Sequence, residues 1–184
     1  MNFEFIHEKR VVGTFLLSVT LILAAGFVSS CAHQNVGVAN SFDGEAKNLA
    51  VRANMKNTQA AAEAYFKDHT YMYPKEIDDE FKSYFPGGDV ASKKPGNAFI
   101  NPFTGQVEWP VLGSVTSVQA ARSGPTKPLN KGVIEYSPID GGKSYAIRGG
   151  GWDDKEITVA GSKMPMVLSR KDEKSSVPAL LKTE

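Results

Sequence analysis

The sequence has few of the residues that form cross-links, hold metals or serve as catalytic bases. It has one cysteine, Cys31, and three histidines, His7, His33 and His69, in 184 residues. A single cysteine excludes a disulfide within the chain and a zinc site built from several thiolates. No serine or cysteine stands in a recognisable motif with a base, and His69 has no identifiable partner in the sequence. We therefore expect that the protein is not an enzyme and has no small-molecule substrate.

The chain also lacks an excess of charge of one sign. It carries 21 basic and 20 acidic side chains, a formal net charge of +1 and a pI near 7.8. Proteins that bind nucleic acids usually concentrate basic charge, so this balance argues against a nucleic-acid partner. Hydrophobic residues make up 41% of the chain, which is ordinary for a globular protein, and the length suffices for one domain.

The longest apolar segment lies near the N-terminus. Residues 11–32 contain no charged side chain and follow Lys9 and Arg10. A positive flank, an apolar stretch and small residues at its end are typical of a secretory signal, which we predict over residues 1–30. The same stretch is long enough to be retained as a membrane anchor, since about 20 apolar residues span a bilayer.

The end of this segment, Val28-Ser29-Ser30-Cys31, resembles a bacterial lipobox. In that motif small residues precede a cysteine that is acylated, as with palmitate, and becomes the new N-terminus. The resemblance implies lipidation at Cys31, a lipidated tether over residues 31–44 and membrane attachment in the bacterial cell envelope, facing the periplasm or the exterior. Ala32 after the cysteine is similar to the pattern of outer-membrane lipoproteins in Gram-negative bacteria.

A prepilin-type leader is the alternative interpretation of the N-terminal region. The segment Lys9-Arg10-Val11-Val12-Gly13 before an apolar run resembles such a leader, which is cut after a glycine. Ser18 then stands five places beyond the cut, where that family has glutamate. This departure favours the lipobox interpretation.

The next segment predicts a long helix. From Glu45 to about Asp68 there is no glycine or proline, and Ala, Lys, Glu and Gln, all strong helix formers, are frequent. Asp43 is the expected N-cap, and Gly37 and Gly44 are expected to separate this helix from the apolar run. Apolar or small residues recur at spacings of three and four, which indicates one buried face: Val51, Met55, Thr58, Ala62 and Tyr65.

The second half of the chain predicts strands. Residues 132–138 and 144–148 alternate in polarity around Asp140-Gly141-Gly142, which is a hairpin-turn signal. Shorter elements are predicted as strands at 107–109, 156–160 and 166–170 and as a helix at 76–84. Together these elements predict an α+β domain over residues 45–170, with a long N-terminal helix packed on a small antiparallel sheet of three to four strands. A disordered tail is predicted over residues 171–184.

Two glycine-containing segments imitate nucleotide-binding motifs. Gly142-Lys143-Ser144 matches the end of a phosphate-binding loop, but Ser137 stands at the position of the required first glycine and a strand follows. We predict a hairpin turn there. Gly149-Gly150-Gly151 lacks dinucleotide-binding spacing and predicts a bulge or a close approach of backbones, with Trp152 as a cap over the sheet.

Several local sequences resemble type IV pilin-like proteins, most closely the major pseudopilin of type II secretion systems. Residues 53–59, with Glu63-Ala64-Tyr65 and Tyr73-Pro74, resemble the exposed half of the first helix of that family. Further matching segments follow in the family's order, at residues 86–88, 101–105, 132–138 and 144–151. The resemblance implies a helical spine across a small sheet, a structural or adaptor role, and partners in a secretion or pilus system.

The resemblance leaves two other functions open. The first is a divergent minor pilin or pseudopilin that assembles into a filament through its apolar segment, with a continuous helix through residues 32–44. The second is a calcium-dependent module for a glycan or a peptide, because major pseudopilins carry calcium in a late loop. Asp153 and Asp154 with Glu156, joined by Asp140, are the candidate calcium ligands, and no other cofactor is expected. For the adaptor, recognition is expected from the sheet and the loop over residues 88–131.

Overall fold

The computed structural model describes residues 35–124 and 128–170, with side chains from Asp43 onward. Its elements, in chain order, are α1 (Asn35–Asp68), α2 (Asp79–Lys82), β1 (Phe99–Ile100), β2 (Val107–Glu108), β3 (Val111–Leu112), α3 (Val118–Arg122), β4 (Ile134–Ile139), β5 (Ser144–Gly149) and β6 (Leu168–Ser169). They form an α+β domain in which the long helix α1 packs on a four-stranded sheet, and β1 and β2 form a second, two-stranded sheet. This confirms the predicted fold class.

Helix α1 begins earlier than the sequence predicts. It is helical from Asn35, so the predicted separation of this helix from the preceding residues at Gly37 and Gly44 is wrong. A glycine in a helix costs about 1 kcal/mol relative to alanine, which is too little to interrupt a helix that continues on both sides. Asp43 is consequently not an N-cap, and its carboxylate lies 2.6 Å from the Lys47 ammonium one turn later.

Gly44 lies where α1 packs closely against Trp152, which explains a glycine within a helix. It is buried, and a Cβ atom built on it would lie 2.7 Å from the ring of Trp152. The backbone N–H of Trp152 donates to the Asn48 side chain on the next turn of α1, at 3.1 Å. Trp152 therefore lies across the third and fourth turns of the helix, and its indole ring packs on α1.

The predicted apolar stripe of α1 is confirmed. Val51, Met55 and Ala62 are fully buried against the sheet. Gly149, at the end of β5, allows this close packing, because a Cβ atom there would lie 2.7 Å from Val51 and 2.8 Å from Met55. Nearer the C-terminal end of α1, Glu63 accepts a hydrogen bond from Tyr145 at 2.7 Å. Since α1 meets Gly149 first and Tyr145 later, it runs antiparallel to β5.

The four-stranded sheet has the order β3-β4-β5-β6. Strands β4 and β5 form the predicted antiparallel hairpin, with Ile134 opposite Gly149 and Ile139 opposite Ser144. The prediction of an entirely antiparallel sheet is wrong, because β3 pairs parallel to β4. Parallel neighbours need a long crossover, and residues 113–133, which include α3, supply it.

The other predicted short elements are shorter than expected. The strand predicted at 156–160 is reduced to isolated bridges, Glu156 with Gly150 and Thr158 with Pro165. The strand predicted at 166–170 becomes β6, and that predicted at 107–109 becomes β2. The helix predicted at 76–84 is the single turn α2, which begins after Asp78 because the Asp78 side chain caps it by accepting from Phe81 N–H at 2.9 Å.

The two faces of the sheet carry separate apolar clusters, because alternate residues of a strand point to opposite sides. The inner face packs Tyr136, Tyr145 and Ile147 against α1 and α2. The outer face packs Ile139 and Ala146 of β4 and β5 against α3 through Ala121. Glu135 and Arg148 also lie on the outer face, outside this apolar cluster.

Within the described part of the chain, no helix combines the length and the apolar character needed to cross a membrane.

Candidate functional site

The predicted calcium ligands lie at opposite ends of a hairpin. Asp140 is in the turn between β4 and β5, whereas Asp153 and Asp154 follow the far end of β5. The six residues of β5 separate these ends by about 20 Å, at roughly 3.3 Å per residue. The grouping of Asp140 with the other two carboxylates is therefore wrong. Asp153 pairs with Lys155 and Asp154 with Lys131, each at 3.4 Å. Across the described residues, no three acidic, histidine or cysteine side chains converge on a metal-sized site.

Glu156, which the sequence suggested as a further calcium ligand, belongs instead to a buried ion network. Arg148 donates from Nη1 to Glu156 Oε1 at 2.6 Å, and from Nε and Nη2 to Glu135 Oε1 at 3.0 and 2.5 Å. The side chains of Arg148 and Glu156 are each 5% exposed, and that of Glu135 is 13% exposed. We call these three residues the ion network.

The strand register explains how the ion network forms. Glu135 and Arg148 are direct partners across β4 and β5, on the outer face of the sheet. Opposite charges in such a pair stabilise an antiparallel sheet. Glu156 reaches the same place because its backbone forms a bridge with Gly150, just beyond the end of β5. A carboxylate from the following loop therefore meets a guanidinium from the strand.

The charges of the ion network do not balance. Two carboxylates face one guanidinium, so the fully ionised network has a net charge of −1. Glu156 Oε2 is buried and has no hydrogen-bond partner among the described residues. Burial raises the pKa of Glu156 and outweighs the lowering effect of Arg148, while the charge of Glu135 raises this pKa further. The network is thus short of one positive charge or one proton.

A cleft of about 680 Å³ adjoins the ion network, and we call it the outer cleft. Glu135 of β4 and Arg148 of β5 line it from the sheet, together with Val133, which directly precedes β4. The remaining lining comes from β3, residues 114–116, the end of α3 and residues 128–130. The outer cleft thus lies where the loop expected to take part in recognition meets the outer face of the sheet.

A second, smaller cleft of about 350 Å³ lies at the C-terminal end of α1. His69 lines it, stacked on Tyr65 with 3.7 Å between ring centroids, and its Nε2 lies 3.9 Å from Glu80. Glu80 also pairs with Lys93 at 2.9 Å. These contacts hold the ring of His69 against its own helix and against Glu80.

Sequence reasoning located some of these features and missed others. The predicted turn at Asp140-Gly141-Gly142 is confirmed, and so is a close approach of backbones at Gly150 and Gly151, which follow β5. The pairing of Glu135 with Arg148 follows from the hairpin register and could have been found by counting back from the turn. The contact of Arg148 with Glu156 depends on the path of a loop and has no sequence signal. Cys31, the predicted lipidation site, lies outside the described residues.

Comparison of the chain with family models, with curated proteins and with solved structures found no match. The function is therefore inferred from the residues and their geometry alone.

Proposed function

We propose that the protein is a non-enzymatic, lipid-anchored, pilin-like envelope protein with a structural or adaptor role, linked to a secretion or pilus system. The observation that carries this proposal is the arrangement of the two sheet faces. Helix α1 covers the inner face as a spine, whereas α3 covers only part of the outer face, which also carries the outer cleft and the loop that borders it. The N-terminal end of α1 follows the proposed lipid anchor, and the outer face carries an open cleft. This arrangement suits a protein that presents a recognition surface.

The intact mass of the protein extracted from native membranes tests the anchor. We expect a mass that fits residues 31–184 plus an acylated Cys31. The Cys31→Ser variant, expressed from the same promoter, serves as the control and is expected to lose the acyl mass. A native chain that starts at Met1, or at a residue other than Cys31, would contradict the lipid anchor.

A filament subunit is the second candidate, and the early start of α1 favours it. Pilin-like subunits continue their first helix back into an apolar N-terminal half, and α1 extends through Gly44 and Gly37 to Asn35. This candidate is distinguished in the same mass measurement by a chain that fits residues 14–184. It further predicts that Ala39→Pro, within the early part of α1, abolishes filaments seen by electron microscopy, because proline removes a helical hydrogen bond and clashes with the preceding turn. Ala39→Ser is the matched control.

A further inference from the structure

The outer cleft has a floor that favours a positive charge. Glu135 and Arg148 line it, and Glu156 lies behind Arg148 in the same ion network. Both carboxylates act on a single guanidinium, so the region carries a net charge of −1 when all three groups are ionised. Glu156 Oε2 adds a buried carboxylate oxygen with no hydrogen-bond partner in the described chain.

Three of the five N–H donors of the Arg148 guanidinium are already bound to carboxylates, and the side chain is only 5% exposed. Its Nε and Nη2 donate to Glu135 and its Nη1 donates to Glu156. An incoming carboxylate or phosphate would also be repelled by Glu135 and Glu156, which bind the same guanidinium. Glu135 is the group that an incoming cation can reach most easily, because its side chain is 13% exposed and those of Arg148 and Glu156 are each 5% exposed.

The walls of the outer cleft fit an aliphatic stem. Val111 and Leu112 of β3, Val115 and Leu129 contribute apolar surface around the floor. Lysine and arginine side chains carry three or four methylene groups that pack on apolar surface while the charged end reaches a polar partner. A cation on such a stem complements both the walls and the floor.

An edge strand beside the outer cleft favours a peptide over a free amine. Strand β3 is the outermost strand of the four-stranded sheet. Its two side chains are 45% and 53% exposed and line the cleft. An exposed sheet edge offers backbone groups to an extended segment, and adjacent pockets then select its side chains.

We propose that the outer cleft binds a lysine or arginine side chain presented by an extended segment of a partner protein. This inference rests on the recognition role proposed for the loop and the outer face, but not on the lipid anchor. Peptide binding tests the outer cleft and the intact mass tests the lipid anchor, so either proposal can fail while the other stands.

Fluorescence anisotropy with labelled peptides and the full-length chain in detergent micelles tests the proposal. The probes are Ser-Val-Lys-Val-Ser and the same peptide with norleucine or glutamate in place of lysine, with cadaverine as an unlabelled competitor. We expect the lysine peptide to bind at least about tenfold more tightly than the norleucine peptide, about 1.4 kcal/mol in binding free energy. We expect no binding of the glutamate peptide and only weak competition by cadaverine.

Two variants locate the binding site. Glu135→Gln keeps the shape of the floor and is expected to reduce the preference for lysine over norleucine to less than about twofold. Leu112→Lys places a positive charge on an exposed position of β3 and is expected to weaken the lysine peptide about tenfold or more without touching the core. Glu76→Gln, the same charge change away from the outer cleft, is the control and is expected to bind as the wild type does.

Each contrary outcome overturns a stated part of the proposal. Equal binding of the norleucine peptide would make the cleft an apolar groove without a charge preference. Tighter binding of the glutamate peptide would make Arg148 the recognising group. Competition by cadaverine at the concentration of the lysine peptide would make the ligand a free polyamine. Unchanged binding in Leu112→Lys would place the binding site elsewhere.

Discussion

Among single residues, Arg148 and its two carboxylates have the largest energetic consequences. A guanidinium that is 5% exposed is stable there only because Glu135 and Glu156 both accept hydrogen bonds from it. Removing Arg148 leaves two buried carboxylates without their shared counter-charge and costs on the order of 3–5 kcal/mol. The same arrangement makes the stability of the fold sensitive to the protonation of Glu156.

Glu156→Gln should change how stability depends on pH. Because burial raises the pKa of Glu156, the folded chain keeps this proton at pH values where the unfolded chain, with a carboxyl pKa of about 4.3, has released it. The free energy of unfolding of the wild type should therefore fall relative to the Gln variant as the pH rises through this window. Urea unfolding of both proteins between about pH 4 and pH 7 measures the difference.

The comparison between the two proteins isolates Glu156 from other acidic groups. The Lys93 ammonium lowers the pKa of Glu80, and Arg52 lowers that of Glu45. The contributions of these two carboxylates to the free energy of unfolding therefore fall as the pH falls, whereas that of Glu156 falls as the pH rises. They are the same in wild type and variant and cancel in the difference. A difference that stays constant over the whole pH range would show that Glu156 has the same pKa in the folded and unfolded chain.

At the scale of elements, the contact between α1 and Trp152 predicts that Gly44→Ala has opposite effects on stability with and without the Trp152 side chain. Gly44→Ala should destabilise the wild type, because the new methyl group would lie 2.7 Å from the Trp152 ring and must displace it. In a Trp152→Ala background the same substitution should stabilise the protein by about 1 kcal/mol, the gain in helix propensity from glycine to alanine. Thermal unfolding of the four proteins measures both effects.

The sign of the second effect decides whether this part of α1 is helical in solution. Destabilisation by Gly44→Ala in both backgrounds would mean that Gly44 adopts a backbone conformation that alanine cannot. No effect in either background would mean that Trp152 does not lie on Gly44.

Elements with a local signal were predictable and elements defined by distant partners were not. The stripe from Val51 to Ala62 and the turn at residues 140–142 depend on spacing and turn chemistry, which the sequence displays directly. Strands β1 and β3 have two residues each, too few for any periodicity to show. The parallel direction of β3 depends on a crossover of 21 residues, 113–133, and on the outer-face cluster around Ala121, neither of which local patterns reveal.

At the scale of the whole molecule, stability should be highest at the centre of the larger sheet. Strands β4 and β5 each have a strand neighbour on both sides, and α1 packs against their inner face. Strands β1 and β2 pair only with each other, and Ile100 and Val107 are 65% and 69% exposed. We expect backbone amides of β4 and β5 to exchange with solvent about 100-fold more slowly than those of β1 and β2, a difference of a few kcal/mol in opening free energy.

Hydrogen exchange followed by mass spectrometry of peptic fragments measures this order. Fragments covering residues 134–149 and 99–108 are compared within one sample, so that differences in buffer or detergent do not enter. Equal protection of both fragments would indicate that the whole domain opens only as a unit.

The sequence also conveyed less about the candidate site than about the fold. The adjacent carboxylates Asp153 and Asp154 predict a calcium site, yet each is paired with a lysine at the surface. Arg148 lies within a predicted strand, where nothing in the sequence marks it as part of a site. Its role arises because the hairpin sets it opposite Glu135 and the following loop returns Glu156 to it, and only the folded chain brings these three residues together.

The antiparallel course of α1 along β5 has a mechanical consequence. A pull on the N-terminal end of α1 acts along the helix axis, and therefore along the strand that Val51 and Glu63 contact at its two ends. The helix would have to slide over the sheet, so that the contacts at Gly149 and Tyr145 bear the load at the same time and do not fail one after another. Because this shear loads both contacts together, we expect the fold to resist a pull on the N-terminal end of α1 better than a pull that peels α1 away from the sheet.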